Sequence, residues 1–389
     1  MNICKLKSII FIIIIVLISI YFIRHEKADY SKVFTLNEEN FENNILKKDK
    51  NDTIYLDKVK KIHFEGIGEY CDFIDGNNVM YTTRNGDDSF VDSRDTKVNY
   101  FQINVLNIKD NNFKKLNPVH NKSQKFIMAS PDKKNLFYSE GNDILEKNKY
   151  EDKNNKEDKN YIYNIKSGRS VNVEYKTFLK WMPDSSGYIG IKENLFLYDI
   201  NTNKKINILN EKQIKKLGNI HEICITKDCK NIFLQCYKDE EDFYSYIYHV
   251  NLDNPKKISF VVKGNIKKID ALDRENLIFT GKFNNERALY IYNIPNGEIN
   301  RLIDDEVIMF KLSNDIKKIA YVKIDKDGNT NLYAANIHKN TIGQSLMLYK
   351  DIYIKNNNLN WSENSKELIA SFYEDNEDSH KLMYIFYFK

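Results

Sequence analysis

One pattern recurs from about residue 70 to the end and constrains the fold more than any other feature of the chain. An apolar strand runs into a turn bearing Asp or Asn, and four residues later a second apolar strand begins. The instances are Asp75 before Val79-Met-Tyr81, Asp132 before Leu136-Phe-Tyr138, Asp184 before Tyr188-Ile189 and Asp228 before Ile232-Phe-Leu234. Asp273 before Leu277-Ile-Phe279, Asp315 before Ile319-Ala-Tyr321 and Asn364 before Leu368-Ile-Ala370 complete the set. Successive turns lie 57, 52, 44, 45, 42 and 49 residues apart. After each second strand come a polar loop and a third, alternating strand, as at residues 161–165, 195–200, 246–250, 289–294 and 332–337. Turn chemistry such as Lys166-Ser-Gly168 or Pro295-Asn-Gly297 follows. A short fourth strand, as at residues 205–209 or 298–303, ends the unit. Four strands per unit of this length is the mark of a β-propeller blade, so the fold class is all-β.

The ends of the array predict its closure. The last unit has strands near residues 352–360, 367–373 and 381–388 and lacks a fourth. Ahead of the first unit stands an orphan strand, Thr53-Ile-Tyr-Leu56, running toward Ile62-His-Phe64. An open array would expose a sticky edge. Pairing the orphan strand with the last unit closes a seven-bladed β-propeller. Six blades plus an N-terminal extension is the alternative.

The first 24 residues differ from the rest. Lys5 and Lys7 precede Ile9-Ile-Phe-Ile-Ile-Ile-Ile-Val-Leu-Ile-Ser-Ile-Tyr-Phe-Ile23, which carries no charge. Counted from Ile3, with the lysines reaching back to the headgroups, residues 3–23 are long enough to span a membrane as one transmembrane helix. No small-residue cleavage site follows, which favours an uncleaved anchor over a cleaved signal. The expected domains are an anchor at 1–24, a polar stalk at 25–52 with a short helix around 37–48, and the propeller at 53–389. The flanking lysines favour a cytoplasmic N-terminus and an extracellular propeller on a single-pass cell-membrane protein.

Ser130-Pro-Asp-Lys-Lys-Asn-Leu-Phe-Tyr138 resembles the Ser-Pro-Asp-Gly-Lys repeat of TolB-like, WD40-like bacterial propellers. Trp181-Met-Pro-Asp-Ser-Ser-Gly187, Ser313-Asn-Asp-Ile-Lys-Lys318 and Trp361-Ser-Glu-Asn-Ser-Lys366 are degenerate copies. The resemblance covers about residues 60–389. It departs where Gly is usual after Asp, since Lys133, Ser185, Cys229 and Ile316 stand there. It implies extracytoplasmic binding and assembly roles, while fold alone does not fix function.

Catalytic signatures are scarce. There is no Gly-x-Ser-x-Gly, His-Glu-x-x-His, Walker A or Gly-x-Gly-x-x-Gly run. The seven histidines (25, 63, 120, 221, 249, 338 and 380) are scattered. Five cysteines at irregular spacing are not a disulfide framework. Cys224, Cys229 and Cys236 fall on one expected hairpin, with His221 near Cys236, and read as strand and turn residues ahead of a zinc or redox cluster. Asp325-Lys-Asp-Gly-Asn329 resembles half a calcium loop but is first a hairpin turn. Asp87, Asp88, Asp92 and Asp95 are expected in one long loop, a candidate cation site. Residues 146–160 are a low-complexity, charge-balanced insertion. No metal and no cofactor is expected. The net charge of +4, from 59 basic and 55 acidic residues, gives no footprint for nucleic acid.

One constellation survives. In a propeller the loops between second and third strands share one end, and several are acidic. Asp239, Glu240, Glu241 and Asp242, Asp325 and Asp327, and Glu374, Asp375, Glu377 and Asp378 form an expected ligand-binding rim. The third-to-fourth-strand turns at the opposite end lean basic at Lys114-Lys115, Lys166 and Arg169, Lys204-Lys205 and Lys256-Lys257. The expected function is a membrane-tethered, non-catalytic binding or scaffold module for a protein or cell-envelope polymer. The alternative is a propeller hydrolase or lyase using the central pocket.

Overall fold

A computed structural model describes residues 34–35, 52–62, 67–91, 97–117, 122–141, 159–173, 177–238, 244–283, 286–338, 341–373 and 381–389. The anchor, the short helix near 37–48 and the insertion at 146–158 lie outside the described residues. Among the described residues, no helix is long and apolar enough to cross a membrane.

Seven antiparallel sheets follow one another around the ring. Blades 1 to 6 occupy residues 67–115, 123–173, 177–209, 219–264, 266–303 and 306–349 in chain order. Blade 7 takes Tyr353–Trp361, Glu367–Tyr373 and Lys381–Phe388, and its outer strand is Leu56–Ile62 from the other end of the chain. The register runs from Leu56 opposite Phe388 to Ile62 opposite Met383. Seven blades are therefore closed by an N-terminal strand, as the orphan strand predicts. Its bounds are shifted, because Thr53 lies outside the strand and bridges Gln344 of blade 6 instead. Asp52 holds that approach, with its carboxylate 2.6 Å from His338 Nε2 and accepting from Asn336 Nδ2 at 2.8 Å.

Burial explains the sequence pattern. Second strands sit inside the sheet and between two neighbouring blades, so both their faces are covered. Asn231–Tyr237 and Asn276–Phe283 are buried almost throughout, which is why they read as unbroken apolar runs. Outer strands such as Arg169–Val173 and Lys204–Leu209 face water and read as polar. The apolar side chains gather into seven clusters, one in each gap between adjacent blades. The gap between blades 7 and 1 joins Ile62, Ile369, Met383 and Ile385 to Cys71, Phe73, Val79 and Tyr81. Ring closure thus rests on an apolar layer as well as a ladder.

One expectation needs correction, and two elements are added to those expected. Asp87 and Asp88 are not in a loop, because the second strand of blade 1 extends over Asn78–Val91. Within residues 25–52, a short strand, Phe34–Thr35, pairs in parallel with the outer strand of blade 4 at Val262 and Lys263. A helix, Glu211–Leu217, links blades 3 and 4. Its capping box pairs Asn210 with Gln213 in both directions, a signal present in the sequence.

Candidate functional site

The turn that defines the repeat also builds the site. Ser130 Oγ donates to Asp132 at 2.7 Å, Ser313 Oγ to Asp315 at 2.6 Å and Ser362 Oγ to Asn364 at 2.9 Å. Partial burial pushes the Asp132 and Asp315 carboxyls up. The serine hydroxyls and the turn N–H groups outweigh it and hold both below the usual carboxylate range. The next residue takes the left-handed conformation in five blades: φ is 59° at Lys133, 62° at Ser185, 58° at Cys229, 60° at Ile316 and 60° at Ser365. This is the position where Gly is usual, and the left-handed conformation costs an ordinary residue about 1–2 kcal/mol. In four of the five, the side chain reaches back to the preceding blade. Lys133 ion-pairs with Asp72, Ser185 Oγ accepts from Asp132 N at 2.9 Å, Cys229 hydrogen-bonds Asp184, and Ser365 Oγ accepts from Asp315 N at 3.1 Å. The missing glycines are exchanged for blade-to-blade contacts.

Just inside these turns lies a ring. In each blade the residue forming the second pair of the inner strand stands at the same level, and all but that of blade 4 line the axial cavities. The blade 4 residue, Cys224, is fully buried in the gap between blades 4 and 5. Register assigns Asp72, Met128, Lys180, Cys224, Asp270, Lys311 and Asn360 to this position in blades 1 to 7. Further along, a bulge interrupts the inner strand in blades 4, 5 and 6, beside Glu222, Lys268 and Met309. Two adjoining cavities of about 340 Å³ each occupy the axis at this level. Both are lined by Lys180, Trp181, Lys311 and Asn314. Trp181 Nε1 donates to the Met128 carbonyl at 2.9 Å and Trp361 Nε1 to the Lys311 carbonyl at 3.1 Å. Each tryptophan thereby fixes the ring residue of the blade before it. Asn360 Nδ2 donates to the Cys71 carbonyl at 2.8 Å and carries the ring across the seam.

The ring's charges are not evenly matched. Lys133 Nζ lies 2.7 Å from Asp72 Oδ2, with the two side chains only 9% and 4% exposed. Tyr70 Oη donates to the same oxygen at 3.0 Å, and Phe73 N to Asp72 Oδ1 at 2.8 Å. Lys180 reaches past blade 4 to Asp270, at 3.8 Å, with 37% and 28% exposure. Burial pushes Lys180 down, but Asp270, with Glu222 behind it, outweighs that and holds it above the usual lysine range. Glu222 accepts from Ile269 N at 3.2 Å. Among the described residues no carboxylate lies within ion-pair distance of Lys311. Its side chain is exposed to the channel and lines both cavities. Burial and then the like charges of Lys268 and Lys180 push it down to about 8.

The expected acidic rim is only partly within view. Asp239, Glu240, Glu241, Asp242, Glu374, Asp375, Glu377 and Asp378 lie outside the described residues. Asp325 and Asp327 sit at the opposite end from the ring, between the second and third strands of blade 6. The Asp325 carboxylate is spent on its own turn, accepting from Asp327 N at 3.0 Å, Asn329 N at 2.9 Å and Asn331 Nδ2 at 3.2 Å. The cysteines do not gather either. Cys236 pairs with Ile220, because His221 is the bulged residue, and His221 packs edge-on against Tyr237. Cys224 is a ring residue that burial holds as a thiol. Among the described residues no group of three His, Cys, Asp or Glu side chains is placed to hold a metal ion. His249 is a core residue, 2.9 Å from Asn231 Oδ1 and pushed down to about 4 by burial and Lys257.

No protein-family model matches the chain, and no curated protein matches it. Solved structures do. An oligogalacturonate lyase in complex with manganese superposes at a TM-score of 0.56 and 12% identity, over 87% of this chain and 96% of that one. The β-propeller domain of the Trilobed protease from Pyrococcus furiosus, described as having an open velcro topology, gives 0.52 and 15% over 79% and 91%. TolB from Acinetobacter baumannii gives 0.44 and 13% over 73% and 76%, too low to carry weight. At these identities the likeness establishes the propeller fold alone.

Proposed function

We propose that this chain is a non-catalytic binding propeller, tethered through residues 3–23 with the propeller outside the cell. It takes a protein or cell-envelope ligand at the end of the channel where the inner turns gather. The supporting observation is the axial cavity, open at that end and lined by charged and aromatic side chains from several blades. Such a concave site with convergent polar groups is where a ligand is most readily held. The basic turns at Lys166, Lys204-Lys205 and Lys256-Lys257 join third to fourth strands, so topology puts them at the same end.

The test is capture by the full chain in non-ionic detergent, with Asn314→Trp filling the mouth and Asp327→Asn altering the far end. A partner lost with the first variant and kept with the second supports the proposal. Capture unaffected by Asn314→Trp would move the site elsewhere, and no capture at all would remove the binding role.

A further inference from the structure

Six carboxylates and four lysines line the two cavities, yet the lysines are not all paired with them. Asp72 is answered by Lys133 and Asp270 by Lys180. Lys311 has no carboxylate in ion-pair reach among the described residues, and Lys268 lies over the Phe310 ring, 5.8 Å from its centroid. Lys311 is exposed to the channel, so its ammonium is open to a ligand group that can answer it.

We propose that the channel holds an oxyanion, a carboxylate or phosphate group carried by the ligand, between Lys311 and Lys180 with Lys268 behind them. This rests on the reading of the channel as the ligand site. Lys311 and Lys180 stand on non-adjacent blades, 6 and 3, and both line both cavities, so one group on the axis faces them together. Trp181 and Trp361 wall the inner cavity with low-polarity surface, which strengthens the attraction relative to open solvent. Lysines on the third-to-fourth-strand turns at this end steer an anion toward the mouth.

The arrangement predicts linkage to protons. The groups acting on Lys311 are Lys268 of blade 5, Lys180 of blade 3, Asp270 of blade 5 and Asp72 of blade 1. A bound anion adds to the carboxylates' side and raises Lys311 from about 8. Binding then takes up a proton near that pH. Affinity falls with rising pH above it, by up to about tenfold per unit.

The experiment is calorimetric titration of the full chain at fixed ionic strength with malonate, whose charge is constant from pH 7 to 9, and with inorganic phosphate at pH 7. Malonate binding that weakens several-fold by pH 9, persists in Lys311→Arg and vanishes in Lys311→Met supports the site. The stronger of the two probes identifies the carboxylate or phosphate source. Binding of neither probe, or equal binding by Lys311→Met, overturns it. Should Lys311→Met fail to fold, competitive acetylation of the wild-type chain decides. Protection of Lys311 by either probe supports the site, and unchanged labelling overturns it. Anion binding without partner capture would break the proposed function and leave the oxyanion site standing. Partner capture that survives Lys311→Met would do the reverse.

Discussion

Blades 1 and 2 and blades 3 to 6 solve the same problem differently. Both sectors put charged groups on the axis at the same register. At blades 1 and 2 the charges are closed off: Asp72 and Lys133 are nearly inaccessible, and Asp72 has further donors in Tyr70 and Phe73. At blades 3 to 6 the charges are spaced, wet and unbalanced, with Lys180 pushed up and Lys311 pushed down. The first arrangement staples two blades. The second leaves interaction energy available to something that is not part of the chain.

Removing one partner from each sector tests this division most severely. Asp72→Ala leaves Lys133 buried and uncompensated, and should cost about 3–5 kcal/mol in urea denaturation. A loss under about 1 kcal/mol would mean the closed pair is no staple. Next come two glycine substitutions at nearly equal φ. Lys133→Gly loses the same ion pair and should cost about 3 kcal/mol. Ile316→Gly relieves left-handed strain while losing some packing against the gap between blades 5 and 6, and should change stability by less than about 1 kcal/mol. Similar losses at both positions would show that φ, not the cross-blade contact, decides.

Lys180→Met removes a part-exposed pair and should cost about 0–1 kcal/mol. The smallest effect is a slope. Lys311 has a folded pKa of about 8, below that of a free lysine, so between these values the unfolded chain binds more protons. Stability from this group therefore rises as pH increases above 8. Lys311→Met should flatten the melting temperature between pH 8 and 9.5 relative to wild type, and parallel curves would deny the strain on Lys311.

The fold was legible because its signals are local and repeated. A turn bearing Asp or, once, Asn, followed by a doubly buried strand, recurs seven times, and the orphan strand announces its missing neighbour. The ring was not legible in the same way. A single lysine in Phe310-Lys311-Leu312 or Leu179-Lys180-Trp181 is an anomaly in an apolar strand, and that was the available signal. It acquires meaning only when seven strands are set in register. Charge density pointed to the acidic loops at 239–242, 325–327 and 374–378, of which only Asp325 and Asp327 lie among the described residues, and there the Asp325 carboxylate serves its own turn. Spacing also placed His221 opposite Cys236, and one bulged residue undid that alignment.

The closing strand imposes a wait. Between Ile62 and Lys381 lie on the order of 300 residues, so the ribosome, at about 5–20 residues per second, finishes the partner strand roughly 15–60 s after the first is made. For that interval Leu-Asp-Lys-Val-Lys-Lys-Ile has no permanent neighbour. Its three lysines discourage pairing with other chains. Once the last strand arrives, Lys60 Nζ donates to the carbonyl of Ile108 in blade 1. The side chain that keeps the nascent segment soluble becomes a stitch in the finished ring.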